Sequence, residues 1–297
     1  MQSVVSYPDR GPWGNNKYRG NMSGYLVKDI IEQYNLKYLS DYMVGGGTTE
    51  DVCREMGIPG VFTDLNRGFD MLSMDIPDRP QAAIMHYPYW GCIKYARTQY
   101  DAKKVQERFG YDPLQEDLAE APTWEDFVRK MDYCTLKAFS ALDKGGRLFL
   151  LVGDWKQKGR LYSMVSDMAK PGTLEQIIIK LQHNTTSESF TYSNRNFVPI
   201  MHEYLVVLRK DEPLLIPVTT TVKRMLDMRD SQNSTWRDTV LSVLQHYGKA
   251  MSLNELYEEL APHKKAKANT NWQAKIRQTV QDERYFRRTS RGCYAAA

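Results

Sequence analysis

The sequence predicts an α/β fold followed by a small, basic second domain. Between residues 24 and 150, apolar runs typical of strands alternate with segments of helical periodicity, which is the pattern of a parallel sheet covered by helices. The chain has 297 residues, and its 42% hydrophobic and 26% charged residues are ordinary values for a folded protein. We therefore expect a sheet domain of about 200 residues and a smaller domain after it.

The elements of the first domain follow from runs that are bounded by turn residues. Lys144-Gly-Gly146, for example, stops a helix in which Phe127, Met131, Cys134 and Ala138 recur at helical spacing. The predicted strands are Leu36–Asp41, Gly60–Asp64, Ala82–His86, Arg147–Gly153, Phe190–Phe197 and Ile200–Leu208, and the predicted helices include Glu50–Met56 and Trp124–Leu142.

A linker and three short helices follow the sheet. Asp211-Glu-Pro and the run Thr219-Thr-Thr221 break the sheet pattern and mark the linker. Helices are predicted over Thr235–His246, Ser252–Leu260 and Asn271–Asp282, and two strand-like pieces lie within Tyr285–Tyr294. Three helices and a basic hairpin are the outline of a winged helix. The predicted divisions are a sheet domain at 1–215, a linker at 216–233 and a winged-helix domain at 234–297.

The positive charge is concentrated near the C-terminus. Residues 217–297 contain 14 Lys and Arg and 8 Asp and Glu, so this part carries +6, and since the whole chain carries +4 the rest carries −2. A polyanion would bind the C-terminal part, although a solvated helical face explains many such charge runs.

Targeting and metal motifs are missing from the sequence. It has no run of 18 apolar residues and no pattern of a signal peptide, so we expect a cytoplasmic protein without a membrane partner. Cys53, Cys92, Cys134 and Cys293 form no C-x-x-C pair and have no histidine at ligand spacing. We expect reduced thiols and no metal.

A glycine-rich turn follows the first predicted strand. Glycines let a backbone approach a ligand that crosses the carboxyl end of a sheet, but they also make simple tight turns. Asp64 ends the next strand, where a carboxylate accepts both hydroxyls of a ribose, and Asp75 after the following apolar segment could meet an adenine amino group. Single acids at strand ends are often only helix caps, whereas three in order, Asp41, Asp64 and Asp75, favour a nucleoside ligand.

This turn resembles the cofactor motif of the N4/N6 family of DNA amino-methyltransferases, D-P-F-x-G-S-G-T-T. The match in Asp41-Tyr-Met-Val-Gly-Gly-Gly-Thr-Thr49 is at Asp41, Gly45, Gly47, Thr48 and Thr49, and Tyr42, Met43 and Gly46 depart from it. Upstream, Lys17–Gly24 is similar to the segment that holds the methionine end of the cofactor in this family, with Arg19, Gly20, Asn21 and Ser23 as candidates.

The resemblance covers roughly residues 7 to 210. It implies S-adenosylmethionine as cofactor and a Rossmann-like methyltransferase sheet whose last strand is reversed.

The catalytic signature of the family, [D/N/S]-P-P-[Y/F], looks like His86-Tyr-Pro-Tyr89, which Trp90 follows. An exocyclic amine is a poor nucleophile because its lone pair is delocalised into the base. Acceptors that bind both of its hydrogens free that pair for attack on the sulfonium methyl group. The resemblance implies that the side chain of residue 86 and the main chain near Pro88 are these acceptors, and that Tyr89 stacks on a flipped base.

Two residues depart from this signature. His86 replaces an Asp, Asn or Ser, and Tyr87 replaces the first proline. Only a neutral imidazole has an acceptor nitrogen, so we expect activity to fall at acidic pH. The alternative is an aromatic cluster packed in a core. His202-Glu203, before the last strand, is interpreted as a surface pair.

The third helix of the C-terminal domain predicts a DNA-reading surface. Trp272, Ile276 and Val280 at four-residue spacing face the core, so the remaining polar side chains lie outside. The candidate DNA-binding residues are Asn271, Gln273, Lys275, Arg277 and Gln278 in the helix and Arg287, Arg288 and Arg291 in the hairpin. A winged helix that binds protein is the alternative.

The sequence therefore predicts a DNA methyltransferase that acts on the N6 amine of adenine in double-stranded DNA. A cytosine-N4 enzyme, an RNA methyltransferase and a DNA-binding regulator with a degenerate methyltransferase domain are the alternatives. Since some members of the family pair, a homodimer is a further hypothesis.

Overall fold

The computed structural model describes residues 1–183, 197–231 and 233–297. They form two compact units, Met1–Thr221 and Val222–Ala297. Among the described residues, no helix combines the length and the apolar character that a membrane crossing requires.

The first unit is built on a mixed sheet. Its strands are β1 (Val4–Ser6), β2 (Ser40–Asp41), β3 (Ala82–His86), β4 (Arg147–Gln157), β5 (Arg160–Ser163), β6 (Lys170–Pro171), β7 (Thr173–Leu181), β8 (His202–Arg209) and β9 (Val218–Thr219). The main sheet has the order β1-β7-β8-β4-β3-β2, β5 folds back on β4, and β6 pairs with β9.

The last strand of the main sheet is reversed. β2, β3 and β4 are parallel to one another, and β1 is parallel to β7, whereas β8 is antiparallel to both of its neighbours. Parallel strands under crossover helices, with one reversed strand inserted between β7 and β4, make this a Rossmann-like methyltransferase fold. The predicted fold class is confirmed.

Helices cover both faces of this sheet. They are α1 (Gly24–Gln33), α2 (Thr48–Met56), α3 (Tyr95–Thr98), α4 (Ala102–Phe109), α5 (Pro113–Glu116), α6 (Trp124–Ala141) and α7 (Met164–Asp167), with 3₁₀ turns at Leu65–Arg67 and Leu118–Glu120. Alternate residues of β3 face opposite sides: Ala83 and Met85 pack in the cluster that contains α6, and Ala82 and Ile84 pack in the cluster that contains α1 and α2. Both faces are therefore sealed, and a ligand must approach an end of the strands.

The second unit has its own core. Its elements are α8 (Trp236–Tyr247), β10 (Met251–Ser252), α9 (Leu253–Leu260), α10 (Lys264–Lys267), α11 (Trp272–Thr279), β11 (Phe286–Ser290) and β12 (Cys293–Ala296). The strands form an antiparallel sheet in the order β10-β12-β11. Ile276 and Val280 are buried beside Val240, Leu244 and Leu256, as the four-residue spacing of α11 predicts.

Several predicted strands differ from the structure. Only Ser40–Asp41 of Leu36–Asp41 pairs, and Gly60–Asp64 is reduced to one bridge between Phe62 and Asp41. β1 and β7 were not predicted. The prediction for Phe190–Phe197 lies outside the described residues except for Phe197.

Candidate active site

A cleft opens beside the carboxyl ends of β2 and β3. Segments far apart in the sequence line it. They include Gly20 and Asn21 from the N-terminal segment, Gly45 and Thr48 from the glycine turn, Asp64 and Asp70 after it, His86 and Pro88 after β3, and Tyr18, Tyr95, Tyr100, Glu116 and Asp117.

The glycine turn has the backbone that its residues allow. Gly45 and Gly47 have φ of 51° and 89°, in the left-handed region that favours glycine, and α2 begins directly after Gly47. Asp41 holds the two ends of the turn together. Its carboxylate accepts hydrogen bonds from the backbone N–H of Met43 at 2.9 Å and from Oγ1 of Thr49 at 2.7 Å. Asp41 and Thr49 are fully buried, and burial raises the pKa of Asp41 to about 6. Neither residue lines the cleft.

Asp64 connects the next segment to the turn. Its carboxylate accepts from the backbone N–H of Gly45 at 2.9 Å and from that of Asn66 at 3.1 Å. Asp64 is 4% exposed, and burial raises the pKa of its carboxyl group. The acid that the sequence predicts to bind ribose thus lies in the cleft and is fixed by the glycine turn.

The N-terminal segment folds over the same turn. The backbone N–H of Asn15 donates to the carbonyl oxygen of Gly46 at 2.7 Å. A Cβ atom at Gly46 would lie 2.4 Å from the side chain of Asn21, so the absence of a side chain at this departure from the family motif admits Asn21 to the cleft. Arg19 is exposed outside the cleft, and Oγ of Ser23 donates to the carbonyl oxygen of Asp9 at 3.2 Å.

Asp75 is exposed and does not line the cleft. Asp70, which sequence reasoning missed, is 3% exposed and lines it, and its carboxylate accepts from the backbone N–H of Leu72 at 2.9 Å. Glu116 and Asp117 add two more carboxyl groups, and burial raises the pKa of both. None of the described residues that line the cleft is a lysine or an arginine.

The aromatic wall of the cleft was also missed. Tyr18 and Tyr95 stack with ring centroids 5.8 Å apart and an interplanar angle of 26°, and Tyr42, Phe69 and Tyr100 line the same space. Tyrosines are so frequent in this chain that sequence alone does not single these out.

The four residues of the predicted catalytic motif separate into two groups. His86 and Pro88 line the cleft, and Tyr89 and Trp90 do not. The indole of Trp90 donates to the carbonyl oxygen of Ala121 at 2.8 Å and packs in the core beside α6. Tyr87, at the position of the missing proline, is buried, and its hydroxyl lies 2.8 Å from Oγ1 of Thr135.

Glu203 corrects one interpretation from the sequence. It is not a surface residue but only 3% exposed, and Nζ of Lys180 donates to its Oε2 at 2.7 Å. The hydroxyl of Tyr89 donates to its Oε1 at 2.5 Å, and Nε2 of His86 lies 3.3 Å from the same oxygen. Burial opposes ionisation of Glu203, but the charge of Lys180 and the proximity of His86 outweigh it and hold its pKa well below the ordinary range.

No family model and no curated protein sequence matches this chain. Among solved structures, the chain is similar to a protein of Thermus thermophilus that is provisionally named a DNA modification methylase, with 15% identity over 65% of this chain and 58% of that chain and a TM-score of 0.27. It is also similar to TrmN of Thermus thermophilus, with 13% identity over 65% and 50% of the two chains and a TM-score of 0.29.

A third similar structure is CalS10 of Micromonospora echinaspora, an amino pentose methyltransferase, with 11% identity over 54% of this chain and 62% of that chain and a TM-score of 0.26. The chain thus spans between 50% and 62% of the length of these three proteins. All three TM-scores are below 0.5.

The candidate DNA-binding residues of the second unit share one property. All of them are exposed: Asn271, Gln273, Lys275, Arg277, Gln278, Arg287, Arg288 and Arg291. Trp272 is half-buried and its ring meets that of Tyr257 edge-on, with centroids 5.6 Å apart. The polar face of α11 and the arginines of the β11–β12 hairpin are therefore available to a partner.

Proposed function

We propose that this chain is an S-adenosylmethionine-dependent methyltransferase that methylates the N6 amine of adenine in double-stranded DNA. One observation carries the proposal: the glycine turn, Asp64 and the His86–Pro88 segment, which are far apart in the sequence, line one cleft whose fixed charges are carboxylates.

The charge of the cleft favours this cofactor over a nucleotide that carries phosphates. S-adenosylmethionine carries a sulfonium and an ammonium group, and both are attracted by carboxylates. The N-terminus of α2 lies in the cleft and could receive one phosphate, but no lysine or arginine is among the described lining residues to offset the repulsion between a dinucleotide and these carboxylates. Asp64 accepts the ribose hydroxyls, Gly20 and Asn21 lie at the methionine end, and Asp70, in place of Asp75, faces the adenine ring of the cofactor.

Methyl transfer requires two acceptors beside the methyl group. The ring of His86 supplies one and the main chain near Pro88 supplies the other, so that the lone pair of the adenine N6 is released toward the donor. A bond between N6 and the methyl carbon forms as the bond between that carbon and sulfur breaks, and S-adenosylhomocysteine leaves. The amine then gives up one proton. The target base must be flipped out of the duplex, because N6 is otherwise paired.

The second unit supports a duplex as the partner. Its order of helices and strands and its hairpin support the assignment of a winged helix, and the basic surplus of the chain lies in it. The exposed residues of α11 read base edges in the major groove, and the hairpin arginines contact phosphates or the minor groove.

The test uses the full chain, S-adenosylmethionine with a labelled methyl group, and duplex DNA of mixed sequence. We expect label in DNA, recovered as N6-methyladenine after digestion to nucleosides, and its loss in His86→Ala. Recovery as N4-methylcytosine would reassign the base, and label only in structured RNA would reassign the polymer. DNA binding without label between about pH 6 and 9 would leave a regulator with a degenerate domain.

A further inference from the structure

Three side chains from three strands meet beside the cleft, and one of them, His86, lines it. They are His86 at the end of β3, Glu203 near the start of β8 and Lys180 near the end of β7. β4 lies between β3 and β8, and its Gly153 is the register partner of Glu203. Because Gly153 has no side chain, the ring of Tyr89 packs against it and donates its hydroxyl to Glu203, and Nε2 of His86 lies 3.3 Å from the same carboxylate across this strand.

The two nitrogens of the His86 ring are in different surroundings. Nε2 is buried, 3.3 Å from Oε1 of Glu203, although the approach does not have hydrogen-bond geometry in this structure. The ring itself lines the cleft. Because Nε2 is buried, it is not accessible from the cleft.

We infer that Glu203 and Lys180 are positioning residues that together hold His86 neutral, with the proton on Nε2 and with Nδ1 as the acceptor for the substrate amine. A neutral imidazole has one N–H and one acceptor nitrogen, and a neighbouring carboxylate selects which is which. This role rests on the proposed function. It explains how a histidine, whose ring nitrogens can each donate or accept a hydrogen bond, serves as the acceptor in place of Asp, Asn or Ser.

The pairing with Lys180 explains why the carboxylate does not turn the ring into a cation. A lone anion beside His86 would favour the protonated ring, which has no acceptor. Lys180, 2.7 Å from the other oxygen of Glu203, supplies a compensating positive charge. Other titratable groups near the ring and Glu203 are Asp41 on β2, which is buried with a raised pKa, and the phenols of Tyr89 and Tyr95, whose pKa burial also raises.

Three variants separate this role from a merely structural one. Lys180→Met leaves Glu203 as an uncompensated anion, so the ring should take up a proton at higher pH. Glu203→Gln leaves Lys180 as an uncompensated cation, so the ring should take up a proton at lower pH. Each shift should be about one pH unit or more, as expected for a charge a few ångströms away. The double variant, with no net charge to bury, should return close to the wild-type pH.

The first measurement needs no substrate. Nitrogen-15 NMR of the imidazole rings, with the His86 signal assigned from a His86→Asn sample, reports the protonated nitrogen and its titration. We expect the Nε2–H form in wild type and a mixture of tautomers in the double variant, because the amide that replaces the carboxylate of Glu203 presents either an oxygen or an N–H group. A wild-type ring protonated on Nδ1, or a titration that is the same in all four proteins, overturns the inference.

The second measurement is the rate of methyl transfer against pH. Its acidic limb should move in the same directions as the ring titration, upward in Lys180→Met and downward in Glu203→Gln. If the variants transfer methyl groups more slowly but the acidic limb stays at the wild-type pH, Glu203 and Lys180 have only a structural role. If wild type transfers no methyl group to any nucleic acid while the NMR result holds, the proposed function fails and the arrangement of the ring does not.

Discussion

Oδ2 of Asp64 accepts a hydrogen bond from the backbone N–H of Gly45 at 2.9 Å, and this bond joins the glycine turn to the acid of the next segment. Gly45 has a φ of 51°, so its N–H is directed by a backbone conformation that other residues rarely adopt. The turn and the carboxylate are thereby fixed relative to each other before any ligand enters the cleft.

Asp64→Asn should weaken binding of S-adenosylmethionine. Asn keeps the shape but loses the charge, and a hydrogen bond to a charged group is worth about 1.5–3 kcal/mol, which corresponds to roughly 10- to 100-fold in the dissociation constant. Calorimetric titration measures this change. Asp75→Asn is the matched control, because Asp75 is exposed outside the cleft and should bind as wild type does. Equal affinities of the two variants would contradict the assignment of Asp64.

Asp41→Asn should change how stability depends on pH. In the folded protein burial raises the pKa of Asp41 to about 6, from an ordinary value of 3.8. The folded state therefore holds a proton that the unfolded state has released between these values. As pH rises through this window, the wild type loses stability relative to Asp41→Asn by about 3 kcal/mol. Denaturant unfolding at pH 4.5 and at pH 7 should show about 2 kcal/mol of this difference. A gap between the two proteins that does not change with pH would refute the buried, protonated Asp41.

Sequence patterns predicted the features that depend on local chemistry. The α6 helix was found because apolar residues recur at helical spacing, and the glycine turn because only glycine suits its backbone. β7 was missed because its burial is irregular, and its Leu174 and Ile177 are exposed. Such a strand does not show the alternation that marks a half-buried strand.

The site was harder to predict where it depends on contacts between distant strands. Glu203 looked like a surface residue because a charged residue beside a histidine gives no sign that β7 and β4 cover it. Asp70 and Asp75 stand at the two ends of the same short segment, and the backbone N–H of Leu72, from which Asp70 accepts, distinguishes the one that turns inward. Sequence spacing predicted the segment but not which of its carboxylates lines the cleft.

Gly153→Ala should disturb the contact between Tyr89 and Glu203 beside His86 without changing cofactor binding. A Cβ atom there would lie 2.4 Å from the hydroxyl oxygen of Tyr89, which donates to Glu203. Displacement of Tyr89 should cost about 1–3 kcal/mol of stability and slow methyl transfer about tenfold or more. Thermal unfolding and rate measurements test both. The double variant Gly153→Ala and Tyr89→Ala should lose less stability than the sum of the two single variants, because without the tyrosine ring the new methyl group meets no clash. Losses that add would contradict the contact between residues 153 and 89.

The triple variant Arg287→Ala, Arg288→Ala and Arg291→Ala should weaken DNA binding equally for all sequences. All three side chains are exposed in or beside the hairpin. If each contacts one phosphate, the slope of log K against log salt concentration should decrease by about 2–3. Fluorescence anisotropy with a labelled duplex measures the slope. The double variant Arg237→Ala and Arg284→Ala is the control, because these arginines are paired with Asp238 and Asp282 at 2.9 and 2.7 Å. An equal decrease of the slope in the control would mean that the loss of positive charge, and not the loss of contacts from the hairpin, weakens DNA binding.

His86→Asn should keep methyl transfer and remove its acidic limb. The amide oxygen of Asn accepts the hydrogens of the substrate amine as the ring does, but it takes up no proton between about pH 5 and 8. His86→Ala has no acceptor and should lose about 10²- to 10³-fold in rate, the usual cost of removing one transition-state hydrogen bond. Both variants should bind S-adenosylmethionine with similar affinity, because Asp64 and the glycine turn are unchanged. A rate for His86→Asn that still falls in acid at the wild-type pH would mean that another group, and not this ring, sets the acidic limb.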